Sequence, residues 1–125
     1  MEVRKKIIEN YVEGYNDFDI PKMIRDFSDD VIFENVQNGK ISMTLKGINE
    51  FINQAETSKQ FFSQRKQTIL SFRHESEKTE IEIDYYGVLE ADFPNGLKKG
   101  KEIKMKGKSI FEFREGKIIK LTDIS

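Results

Sequence analysis

Few side chains in this sequence could shuttle a proton or grip a ligand from inside a fold, and the best placed is Asp123. It follows Ile119 and Leu121 in the same parity of a closing alternating segment, which turns it inward. Burial raises a carboxyl's pKa, so an inward Asp123 could act as a general base. The same position also suits an ion pair at a strand end. Tyr11 and Tyr15 lie on the apolar side of a helix-period run, where a phenol fills core volume and can still turn its hydroxyl into a cavity. Plain packing would account for both as well. Asn35 ends an apolar strand, and its amide can donate and accept at once; its other reading is a turn former ahead of Asn38-Gly39. Ser109 sits beside Gly107 on a strand that is otherwise apolar inward, where its hydroxyl could meet a ligand or bond a neighbouring carbonyl.

Other chemistries are poorly supplied. The one histidine, His74, stands between Arg73 and Glu75 at a strand end, a solvated position, and there is no cysteine. Neither a metal site, a thiol nucleophile nor a cofactor is expected. Lys and Arg total 21 against 22 Asp and Glu, with no long block of one sign, so nucleic acid is not an expected partner. The lysines Lys98, Lys99, Lys101 and Lys104 read as a solvated hairpin tip. Charge interrupts the apolar positions of residues 1–10, unlike a signal peptide or membrane span, so no membrane association and a cytoplasmic location are expected.

The elements that must position these groups can be read from periodicity. Val3, Ile7, Ile8, Tyr11, Val12 and Tyr15 repeat at helical spacing and predict a helix over 3–17. Asp19 as an N-cap and Pro21 in the first turn start a second helix, with Ile20, Met23, Ile24 and Phe27 as its stripe and Ser28-Asp29-Asp30 as its break. Val31 to Val36 and the alternation Ile41, Met43, Leu45 predict two strands, and Ile48, Phe51, Ile52 and Ala55 a third helix. Four further strands follow, over 68–74, 79–92, 101–114 and 117–124, joined by polar or Gly-containing turns. Gly87 and Gly107 are candidate bends.

Alternation puts Ile83, Tyr85, Met105, Ser109 and Phe111 on the inward, ligand-facing side and leaves Glu82, Asp84, Lys106 and Lys108 outside. A hairpin centred on Asn95 would set Asp84 opposite Lys106 and Glu82 opposite Lys108. At 125 residues, with ten Phe and four Tyr, the chain can bury one core and is expected to be a single domain over 1–125. The fold class is α+β, in the order ααββαββββ: a curved antiparallel sheet wrapped around three N-terminal helices.

That order resembles the nuclear transport factor two-like superfamily, in particular its SnoaL-like, polyketide cyclase-like branch. The residues that carry the likeness are the runs from Asn10 to Asn16, Phe27 to Asn35, Leu45 to Phe51 and Phe111 to Ile119. The resemblance implies a cone with an interior ligand cavity, a small hydrophobic ligand and a homodimer. A distant likeness to ketosteroid isomerases matches Tyr11 to their carbonyl-polarising tyrosine. It sets their proton-shuttling aspartate on Asn35, an amide that cannot take up and return a proton at neutral pH, and their late-strand acid near Ser109. In SnoaL-like cyclases the acid–base groups are carboxylates with a partnering His or Arg, and Asp123 is the best-placed match, with no arginine clearly beside it. Two functions follow: a pocket that catalyses an acid–base isomerisation, cyclisation or hydrolysis, with Asp123 and Tyr11 catalytic and Tyr15, Asn35, Ile83, Tyr85, Met105, Ser109 and Phe111 binding the ligand, or a non-catalytic binding or interaction module.

Overall fold

The computed structural model describes residues 2–94 and 96–125. The helices are α1 (Glu2–Asn16), α2 (Ile20–Ile24) and α3 (Ile48–Lys59). The strands are β1 (Phe27–Gln37), β2 (Lys40–Lys46), β3 (Phe62–Glu75), β4 (Lys78–Leu89), β5 (Glu102–Arg114) and β6 (Lys117–Ile124). They form one curved, open sheet in the order β2-β1-β6-β5-β4-β3. The element order matches the sequence reading, with one difference in direction: β1 and β6 pair in parallel. The chain leaves β2 through α3 and returns by the meander from β3 to β6, and such a long crossover lets two strands run the same way.

Bulges bend the sheet around the helices. The register shifts at Asn35/Val36, Ile69/Ser71 and Glu112/Phe113. The last shift corrects the expected inward face of β6: Phe113 pairs with Ile118 and Glu112 with Lys120, so Ile119 is the extra residue and Ile118, not Ile119, is fully buried. Beyond the bulge the parity is restored for Leu121 and Asp123. Phe27 to Asp30 belong to β1 rather than to the end of the second helix, because Phe27 already pairs with Ile118 across the sheet. The Asn95 turn lies outside the described residues, yet Asp84 does face Lys106 and Glu82 faces Lys108.

Aromatic contacts tie the helices to the sheet. Tyr11 of α1 stacks on Phe27 with centroids 5.7 Å apart and meets Phe111 of β5 edge-on at the same distance, while Phe27 meets Phe51 of α3 at 4.9 Å. The helix ends are fixed locally. Asp19 Oδ1 accepts the Lys22 N–H at 3.1 Å to start α2, and Glu50 reaches back to the Lys46 N–H at 2.7 Å at the start of α3. Gly47, with φ +87°, makes the turn into α3 that an L side chain would strain. α1 is docked on the edge strand β3 by Asn16, which exchanges two hydrogen bonds with the Gln67 backbone at 2.7 and 3.1 Å.

Candidate functional site

One row of paired residues crosses the concave face: Asn35 on β1, Asp123 on β6, Ser109 on β5 and Ile81 on β4. Directly paired residues share a face, so the row places Asp123 between an amide and a hydroxyl. Ser109 donates its Oγ–H to Asp123 Oδ1 at 2.7 Å. Asp123 lines two adjoining cavities. Burial pushes its carboxyl up to about 6, against which the Ser109 hydrogen bond, favouring the charged form, pulls down.

The outer cavity has a volume of about 380 Å³ and is lined among others by Ile83, Tyr85, Met105, Gly107 and Ser109. The inner one, about 200 Å³, lies between the sheet and the helices and is walled by Tyr11, Phe33, Leu45, Phe51 and Arg65. Tyr15, Asn35, Ser58 and Asp123 line both, so they form the waist of a single two-chambered cone. Tyr15 and Tyr85 join hydroxyls across this waist at 2.8 Å. Glycine at 107 matters to the outer chamber: a Cβ there would come within 3.1 Å of the Ile124 carbonyl oxygen.

Tyr11 is buried, lines the inner chamber and makes no hydrogen bond through its hydroxyl among the described residues. Burial, then the negative charge of Asp123, push its pKa well above the usual phenol value, so it stays a donor at neutral pH. Burial does the same to Tyr15. Asn35 donates one Nδ2–H to Ser42 Oγ at 2.9 Å and keeps a second N–H and the acceptor Oδ1.

Of the residues expected from sequence, Tyr11, Tyr15, Asn35, Ile83, Tyr85, Met105, Ser109 and Asp123 line the cone. Phe111 is placed differently. It is wholly buried against Tyr11, and its place in the row of core aromatics sets it behind the chamber wall. Met105 stands at the mouth, 44% exposed. Sequence reasoning missed Arg65, which lines the inner chamber that Asp123 also lines without pairing with that acid. The available signal was parity: Arg65, Gln67 and Ile69 fall on one face of β3.

Three helices inside an open six-stranded cone with a polar waist define a nuclear transport factor two-like protein, and a structure of that type from Burkholderia pseudomallei superposes with a TM-score of 0.80 at 15% identity, covering 98% of this chain and 90% of that one. Within it, the chain belongs to the SnoaL-like domain family, whose family model matches residues 8–121. A candidate polyketide cyclase from Xanthomonas campestris pv. campestris is similar over 99% of this chain and 90% of its own, with a TM-score of 0.82 and 18% identity. TerC, crystallised with polyporic acid, is similar over 98% of this chain and 90% of its own, with a TM-score of 0.77 and 14% identity. At such identities these structures share the fold. No curated protein matches the sequence significantly. Among the described residues no helix is long and apolar enough to cross a membrane.

Proposed function

We propose that this SnoaL-like protein is an acid–base catalyst for a small hydrophobic ligand, with Asp123 as the proton carrier. The observation that carries the reading is Asp123 itself: a carboxyl at the waist of the cone, oriented by Ser109, with its pKa pushed up to about 6. A base of that strength is mostly ionised at neutral pH and still returns its proton readily. The carboxylate takes a proton from a carbon beside a carbonyl, and the C–H electron pair moves onto the carbonyl oxygen as an enolate. Tyr11 donates a hydrogen bond to that oxygen. The proton then returns from Asp123 to another ligand atom, the enolate collapses, and the carboxylate is restored without a co-reactant. Asn35 accepts a hydrogen bond through Oδ1, and Tyr15, Ile83, Tyr85 and Met105 hold the ligand body. The fold shared with cyclase candidates and with TerC, crystallised with polyporic acid, supports a hydrophobic ligand.

The test is deuterium exchange at the acidic carbon of 2-tetralone in heavy water, followed by NMR. The wild type is expected to accelerate exchange, with a rate that climbs through about pH 6 as Asp123 ionises, and D123N to lose the acceleration. Equal rates for the two proteins would remove Asp123 from the mechanism. We propose separately a homodimer, which the family resemblance implies; a monomer in sedimentation equilibrium at micromolar concentration would refute the dimer.

A further inference from the structure

The inner chamber holds a buried cation that no carboxylate among the described residues neutralises. Arg65 points inward from β3 and is 5% exposed. Its Nε donates to the Tyr15 carbonyl at 2.8 Å, capping the last turn of α1. That uses one of five N–H donors. Nη2 is buried without a hydrogen-bond partner, and among the described residues no carboxylate forms an ion pair with the guanidinium. A buried charge left in this state is costly unless something else supplies the counter-charge.

The surroundings hold that cation in place rather than disperse it. The guanidinium lies 3.8 Å from the Tyr15 ring centroid and 4.4 Å from that of Phe18. Phe18 adopts φ +56°, in the left-handed region where glycine normally closes a helix. Its N–H bonds the Tyr15 carbonyl and the Asp19 N–H bonds the Gly14 carbonyl, the pattern of a glycine-type helix stop with a bulky ring in glycine's place. The chain thus accepts backbone strain at the residue whose ring covers Arg65. The remaining wall is largely apolar, with Met23, Phe33, Met43, Leu45 and Phe51.

From this geometry we infer that Arg65 makes the inner chamber an anion subsite, and that the ligand is a hydrophobic organic anion whose ionised oxygen seats against Arg65 where it lines the chamber. The inference rests on the reading of the cone as a ligand site and adds the charge of the ligand. Tyr11 also lines this chamber.

A matched pair of probes tests it: 2-naphthoate and 2-naphthamide, alike in shape and different in charge, titrated by calorimetry at about pH 7. The wild type is expected to bind the carboxylate roughly tenfold more tightly than the amide, or better. R65M should lose that preference while still binding the amide, and R65K should keep part of it. Equal affinity of the wild type for the two probes would overturn the anion subsite and leave the ligand site standing, a result that needs no variant to fold. An unchanged preference in R65M would overturn it too. Binding of neither probe would overturn both this inference and the reading of the cone.

Discussion

Replacing Asp123 with Asn should make the protein more stable at neutral pH. Burial shifts the carboxyl from 3.8 to about 6 on folding, so the native state holds this proton more tightly than the unfolded chain does. Between about pH 4 and pH 6 the native state therefore binds more protons, and stability contributed by this group falls as pH rises through that window. Above about pH 6 the whole cost of the buried charge remains. Each tenfold difference in proton affinity is worth about 1.4 kcal/mol, which makes the cost about 3 kcal/mol. The neutral amide avoids it and can still accept the Ser109 hydroxyl through Oδ1. D123N should accordingly gain about 2–3 kcal/mol at about pH 8, roughly 10 °C in Tm for a chain of this size, and gain little at about pH 4. Urea unfolding of both proteins across this pH range, followed by circular dichroism, isolates the group because every other titration cancels in the difference. A variant less stable than the wild type at about pH 8, or a difference that does not change with pH, would refute the reasoning.

Other perturbations test the same wall. S109A removes a hydrogen bond that favours the ionised form, so the Asp123 carboxyl should titrate above about 6, read from its carbon chemical shift; a lower value would contradict the assigned role. Y11F keeps the contacts with Phe27 and Phe111 and deletes a hydroxyl that has no protein partner among the described residues, so stability in urea should change by less than about 1 kcal/mol while 2-tetralone exchange slows roughly tenfold. G14A places a Cβ 2.8 Å from the Met23 backbone nitrogen where α1 meets α2. Despite the better helix propensity of alanine, it should destabilise the fold by about 1–2 kcal/mol.

The element order was legible because apolar residues in most elements follow one period. The α1 stripe, with Ile8, Tyr11 and Val12, and the β4 alternation of Ile81 and Ile83 need no tertiary information. Legibility failed where function or curvature breaks the pattern. The sequence predicts β3 only from Thr68, but the strand begins at Phe62, and its inward positions there are Arg65 and Gln67, two buried polar side chains that hide the alternation. Phe18 in the left-handed region is invisible to propensity, since its backbone conformation is imposed by the helix stop and its ring is occupied with Arg65. The parallel pairing of β1 with β6 and the bulge at Ile119 depend on contacts between segments far apart in sequence. Asp123 could be assigned inward all the same, because a single residue, Thr122, separates it from Leu121, the last buried apolar position beyond that bulge.

The two charged groups of the cone act separately. A guanidinium within ion-pairing distance would favour the carboxylate and hold its pKa below the ordinary range. The opposite holds: burial raises it, and the single opposing influence is the Ser109 hydroxyl. Among the described residues no ion pair joins Arg65 to Asp123, although both line the inner chamber. Had evolution closed that gap, the fold would gain an ion pair and lose both a base of useful strength and an unpaired cation. The Tyr11 phenol is raised first by burial and then by Asp123, and lowered by Arg65. A ligand that placed an ionised oxygen on Arg65 and an acidic carbon on Asp123 would complete both at once, and it would explain why the chain tolerates a buried base and an uncompensated cation in one cavity.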